Sequence, residues 1–279
     1  CLGGTPHYLA QIDPTRSFEE NIVHLYFQPA GYLYGEPIML LQQELREPAM
    51  YNAIISAIAT GASRLNEIST KIGEAPAKTM KYIDVLLSMR ILKRIFPFGD
   101  NPQRSRNGLY QIADHCFAFW YRYVFFNRAS IDAGFGGEIA RQSVFPLLSD
   151  YIGKPVFEEV CRQYLMRRAK AGTLPIPAVH FGRWWGNDSV LRKQTDLDVI
   201  AASPDQIIIG ECKWRQTDSL SADQISAWMA KTLLLPEYKD RYYYCFSKSA
   251  FKPPVTALAQ ETPRLTLVPL DQLWNMEES

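Results

Sequence analysis

Hydrophobic and polar positions along the chain follow two different periods, helical in the first half and alternating in the second. Arg64 to Gly73 reads as a helix with Ser63 at its N-cap, Glu67 in its first turn and Gly73 as its stop. A short turn leads into Pro76 to Arg90, where Met80, Ile83, Leu86 and Leu87 repeat at three- and four-residue intervals. Two short strands are predicted at 91–95 and 109–112, joined by the polar loop Gly99 to Gly108. In the second half, Gly153 to Leu165 predicts a helix with Pro155 in its first turn and Val156, Val160, Tyr164 and Leu165 on one stripe. A strand is predicted over 178–185. The β-branched runs Asp196 to Ile200 and Ile207 to Trp214, separated by Ser203-Pro204-Asp205, then predict a β-hairpin. An amphipathic helix from about Ala222 to Leu235 and strands at 241–246 and 265–268 complete the pattern.

The pattern describes an α+β or α/β chain. It comprises a helical segment at 1–45, a helix-turn-helix with a hairpin at 46–113, an aromatic connector at 114–150 and an α/β domain at 151–279. A chain of 279 residues that is 47% hydrophobic has the material for about two cores, which excludes disorder. The most aromatic run, Phe117 to Phe126, is too short to span a membrane and carries Arg122. It predicts a buried helix bridging two domains, with base stacking as the alternative. Trp184-Trp185 and Tyr242-Tyr243-Tyr244 fit alternation within a sheet, again with stacking as the rival. Gly134 to Gly137 is the best linker candidate.

Charge and cysteine content narrow the chemistry. Thirty Lys and Arg against 29 Asp and Glu leave a net charge of +1, so bulk electrostatic attraction to nucleic acid or a membrane surface is not expected. Cysteines at 1, 116, 161, 212 and 245 show no C-x-x-C spacing and the four histidines are isolated, which argues against zinc. Free buried thiols in a reducing cytoplasm are the simpler expectation. Lipid attachment at Cys1 is disfavoured, because sequence of structured character follows it without a polar tether.

The hairpin carries the candidate chemistry. Residues two apart share a face of a strand, so Glu211 and Lys213 project together, opposite Cys212, and Asp196 and Asp198 share one side of the neighbouring strand. Closed in register, the hairpin would gather three carboxylates and one ammonium, and Glu158 or Glu159 on the preceding helix would add another acid. Unpaired buried carboxylates are strongly disfavoured. A divalent cation held by oxygens, Mg²⁺ or Mn²⁺, resolves the repulsion and provides for phosphodiester hydrolysis, with Lys213 orienting water or stabilising the phosphorane. The plainer reading makes Asp196, Glu211 and Lys213 solvated charges on a half-exposed hairpin. Gln224, on the following helix, is a weaker candidate for contact with substrate or the ion's water.

In the first half, the order of elements is that of a winged helix-turn-helix. Its second helix would offer Lys78, Thr79 and Lys81 to a groove, and its hairpin Arg94, Arg104 and Arg106 to phosphates. Seven Lys and Arg between Arg90 and Arg128 face only Asp100 and Asp114, a local excess that favours nucleic acid, most simply DNA. Winged helices also serve as protein-docking or dimerising modules. Self-association into a homo-oligomer therefore stays open.

Helix, three strands, helix, then two strands, with the acids on the hairpin, resembles the PD-(D/E)XK nuclease fold over the last ~130 residues. The resemblance implies that Asp198 is the family aspartate, that Glu211 and Lys213 form the (D/E)-x-K pair, and that Glu158 is the helix acid. Asp196 falls where relatives often carry an acid too. No proline precedes the aspartate, a departure common in divergent members. The opening Gly3-Gly4-Thr5-Pro6-His7-Tyr8-Leu9, followed by a short helix, a winged helix and this nuclease-like end, resembles the archaeal-type ATPase family of the AAA superfamily. That implies the C-terminal part of a longer ATPase whose lid contributes residues 1–45. There is no G-x-x-x-x-G-K-[ST] loop, so ATP would belong only to the missing upstream region and no ATPase activity is expected of this chain alone. Two functions follow: a DNA-binding, Mg²⁺-dependent nuclease module, or a non-catalytic platform that keeps a degenerate nuclease fold to bind DNA or protein.

Overall fold

The computed structural model describes residues 1–188, 193–214, 220–231, 235 and 238–274. The chain divides into two compact units. One comprises Cys1–Phe96 with Pro102–Leu147, and the other Pro97–Asn101 with residues 148–279.

In the first unit, helices α1 (Pro6–Leu9), α2 (Phe18–Tyr26) and α3 (Glu36–Glu44) precede α4 (Pro48–Ala59), α5 (Leu65–Ile72) and α6 (Pro76–Ser88). Helix α5 ends where expected: Gly73 adopts φ +73°, a left-handed conformation that costs glycine little. Its start lies one residue beyond the expectation. Arg64 is the N-cap, and the Glu67 carboxylate accepts from the backbone N–H groups of Ser63 (2.8 Å) and Arg64 (3.1 Å). Strands β1 (Leu92–Ile95) and β2 (Leu109–Ile112) pair antiparallel with Leu92 opposite Ile112.

The aromatic run forms α7 (His115–Tyr123), capped by Asp114, and Phe119, Trp120 and Tyr121 are buried completely. Its polar atoms find partners inside the unit: Trp120 Nε1 donates to Tyr34 O (2.8 Å) and Tyr121 OH to Asn52 Oδ1 (2.5 Å). Short helical pieces follow, including α8 (Arg128–Ser130), α9 (Gly136–Ile139) and α10 (Phe145–Tyr151). Within the Gly134 to Gly137 segment, Gly136 is buried while Gly134 and Phe135 are exposed. A Cβ on Gly136 would lie 1.8 Å from Phe27 O, and the division between the units falls at Leu147.

The second unit is built on one mixed sheet in the order β3 (His180–Asp188), β4 (Lys193–Ala202), β5 (Gln206–Lys213), β6 (Asp240–Ser247), β7 (Leu265–Pro269). Strands β3, β4 and β5 are antiparallel, and β5–β6 and β6–β7 are parallel. Parallel neighbours require crossovers. Helix α12 (Ala222–Lys231) lies in the first and α13 (Pro253–Glu261) in the second, and the sequence pattern had not predicted α13. Of the helix expected from Ala222 to Leu235, the stretch 232–234 lies outside the described residues.

Helix α11 (Glu158–Lys170) starts later than its sequence suggested. The chain from 152 to 157 makes a wide turn in which Lys154 leaves helical backbone (φ −144°, ψ 118°). The buried stripe is Phe157, Cys161 and Leu165, and it packs with Val199, Ala201, Ile208, Phe246 and Val268 on one face of the sheet. The opposite face gathers Leu197, Ile200, Ile207 and Ile209 with Ile225 and Trp228 of α12 and Val255 of α13. Each such side chain, buried fully, contributes about 1.5–3 kcal/mol relative to exposure. Residues 97–101 belong to this unit: Phe98 N donates to Arg183 O (2.7 Å), and its ring packs on the second cluster.

Candidate functional site

An irregularity in β4 shapes the site. Gly182 pairs with Ile200 but Trp184 with Leu197, so Asp198 and Val199 stand opposite Arg183 alone. The bulge resets alternation: Leu197 packs in the same cluster as Ile200, three residues on, which a regular strand would turn to the other face. Despite this shift, Asp196 and Asp198 both act on Lys154, before the start of α11. The Asp198 carboxylate turns to the neighbouring strand, where Oδ2 accepts from Cys212 N (3.0 Å). Asp196 Oδ2 accepts from Lys154 Nζ at 2.6 Å.

Glu158, at the start of α11, lies between these groups. Only 7% of its side chain is exposed, and its carboxylate meets Lys154 Nζ (3.4 Å) and Arg183 Nη1 (3.3 Å). Burial pushes its pKa above the ordinary value, Asp198 adds to the rise, and Arg183 and Lys154 oppose it. Lys154 shows the converse balance. Burial would lower its pKa, but Asp196, Glu158 and Asp198 together raise it. Asp196, Asp198, Glu158, Lys154 and Arg183 thus form one electrostatic group.

Glu211 and Lys213 pair with each other at 2.5 Å. Cys212 and Trp214 pack on the α11 side of the sheet, so alternation directs Glu211 and Lys213 to the other face. Asp198 meets the β5 backbone at Cys212, the residue between Glu211 and Lys213, so the Glu211–Lys213 pair adjoins the group at the start of α11. The Cys212 thiol is pushed well up by burial and by its hydrogen bond with Cys161. Glu159, the other acid considered on this helix, pairs with Arg162 at 2.6 Å.

As hard oxygen donors, these carboxylates suit Mg²⁺ or Mn²⁺. Among the described residues, no three acids, histidines or cysteines are grouped as ligands, and ammonium groups stand against Asp196, Glu158 and Glu211. The residues fit an ion in chemistry, with internal cations beside them. Gln224 is committed elsewhere. Its Oε1 accepts from Ser221 N (2.9 Å) while its own N–H donates to Ser221 Oγ (3.2 Å), a capping box that starts α12.

The proposed nucleic-acid residues divide by exposure. Lys81, Arg104 and Arg106 are exposed. Lys78 is exposed and paired with Glu74 at 2.8 Å. The Arg94 guanidinium lies over the rings of Phe96 (4.9 Å) and Tyr110 (5.6 Å). Thr79 is a correction: it is buried completely and Oγ1 donates to Ala75 O (3.1 Å), so it faces the core of α6 rather than a groove.

Lys154 and Arg183 complete the site without a motif that marks them in the sequence. The four-residue spacing of Lys154 and Glu158 gave no helical signal, since Lys154 leaves helical backbone in the wide turn before α11. Arg183 offered none, because its contact with Glu158 depends on how α11 lies on the sheet.

Comparison with known proteins adds the following. A family described as archaea bacterial proteins of unknown function, DUF234, matches residues 120–225. The uncharacterized protein MJECL04 of Methanocaldococcus jannaschii is 26% identical over 251 residues, which cover 88% of this chain and 54% of that protein. The chain therefore spans about half the length of the curated relative it matches. Among solved structures, Can2 from Sulfobacillus thermosulfidooxidans in complex with cyclic tetra-adenylate is 11% identical, with coverage of 86% and 53% and a TM-score of 0.29. Protein VC1899 from Vibrio cholerae is 12% identical, with coverage of 92% and 54% and the same TM-score. No helix among the described residues is long and apolar enough to cross a membrane.

Proposed function

We propose that this chain is a DNA-binding, metal-dependent phosphodiester-cleaving module of the PD-(D/E)XK kind, set at the C-terminal end of an AAA-superfamily ATPase. The observation that carries the reading is the group of Asp196, Asp198 and buried Glu158 at the bulge of β4, beside a strand bearing Glu211 and Lys213. In this reading Asp198 and Glu211, with Asp196, hold Mg²⁺ or Mn²⁺. The ion would supply a lowered pKa for bound water and neutralisation of charge developing on phosphate. Glu158 keeps the acid group in place from α11, and Lys213 orients the attacking water or meets the developing charge. Helices α5 and α6 with the β1–β2 hairpin act as a winged helix, with Lys78, Lys81, Arg94, Arg104 and Arg106 on DNA phosphates. ATP belongs to an upstream region.

A second reading, a non-catalytic platform, is favoured by one specific observation: Asp196, Glu158 and Glu211 each have a cationic partner within the chain. Plasmid nicking with Mn²⁺ separates the two. Nicking by the wild type that Glu211→Gln abolishes supports the nuclease. A wild type that binds plasmid without nicking it supports the platform.

A further inference from the structure

Lys154 contacts both Asp196 (2.6 Å) and Glu158 (3.4 Å), and 53% of its side chain is exposed. It sits on extended backbone just before α11, so its four-carbon stem enters the acid group from outside the helix. Asp196, which it meets at 2.6 Å, is one of the carboxylates assigned above to a divalent ion, and Glu158 stands beside it. An ammonium and a divalent cation cannot share the Asp196 oxygens without strong repulsion.

We infer that Lys154 is a positioning residue that exchanges partners: it holds Asp196 and Glu158 when the site lacks an ion, gives them up when a divalent cation binds, and then meets a phosphate of the nucleic acid. The inference rests on the proposed nuclease reading and names the residue that couples its metal site to its substrate. Three observations support the exchange. The Asp196 contact is short and charge-assisted, so the acids are held in place before any ion arrives. Glu158 keeps a second cation, Arg183, when Lys154 leaves, so its buried carboxylate stays compensated. The exposed stem lets the ammonium reach a phosphate without movement of α11.

Ammonium and ion competing for the same oxygens make metal and DNA binding mutually favourable, and by linkage each raises the affinity for the other equally. The test is calorimetric titration of Mn²⁺ into the whole chain, as wild type, Lys154→Met and Lys154→Arg, each with and without a short phosphorothioate duplex. Far-UV circular dichroism and the melting midpoint confirm that each variant folds. Lys154→Met is expected to bind Mn²⁺ alone about tenfold or more tightly than wild type, because a positive charge beside the ion is gone. The duplex is expected to tighten Mn²⁺ binding to wild type and Lys154→Arg but not to Lys154→Met. Equal Mn²⁺ affinities in wild type and Lys154→Met overturn the exchange, as does absence of Mn²⁺ binding in both. If affinities are equal while Glu211→Gln still abolishes nicking, the exchange fails and the nuclease reading stands. If Lys154→Met gains affinity while the wild type never nicks, the exchange stands and the catalytic reading fails.

Discussion

Replacing Asp198 tests the site and the fold separately, provided that two substitutions are compared. Asp198→Ala removes the acceptor of the Cys212 N–H bond at 3.0 Å, leaving a partly buried backbone donor without its partner at the bulge of β4. Orphaning such a donor costs about 1–3 kcal/mol. In a cooperative unit of this size that lowers the melting midpoint by roughly 3–10 °C. Both Asp198→Ala and Asp198→Asn remove the negative charge that raises the Glu158 pKa, an effect of opposite sign that cancels in the comparison. Asn keeps an oxygen for the Cys212 N–H and should melt close to wild type. The assay is thermal unfolding followed by circular dichroism, then Mn²⁺ titration of the same samples. The expected order of midpoints is Asn above Ala, with Mn²⁺ binding lost in both. Equal midpoints for Ala and Asn would refute the hydrogen-bond argument, and Mn²⁺ binding by Asp198→Asn at wild-type affinity would refute the assignment of Asp198 to the ion.

Two further predictions concern charge and exposure. The Glu158 pKa is raised in the fold, first by burial and then by Asp198, so the native state binds more protons than the unfolded chain between the ordinary carboxyl pKa and the folded one. Stability should therefore fall as pH rises through that window, and Glu158→Gln should gain on wild type across it; midpoints that run parallel from acid to neutral pH would contradict this. In the first unit, Lys81→Ala and Arg106→Ala should each weaken duplex binding and reduce its salt slope by about 1, whereas Thr79→Ala should cost about 1 kcal/mol of stability and leave affinity unchanged. Fluorescence anisotropy against salt reads both, and weakened binding by a fully stable Thr79→Ala would overturn the placement of that residue in the core.

What the chain settles by itself is local. β-branched runs around a Ser-Pro-Asp turn make β4 and β5, glycine at 73 ends α5, and helical spacing makes α6, because each of these preferences is expressed within a few residues. Alternation likewise pairs Glu211 with Lys213. Tertiary structure decided whatever depends on partners distant in sequence. The bulge at Asp198 and Val199 arises in pairing with β3, and a period-2 pattern cannot register an extra residue. Lys154 meets Asp196 across 42 positions and Arg183 meets Glu158 across 25, contacts set by the seat of α11 on the sheet. Thr79 is polar in sequence yet buried, because the α6 backbone satisfies its hydroxyl and frees its methyl for the core. Residue type thus identified where carboxylates concentrate, and only packing determined which cation stands beside each of them.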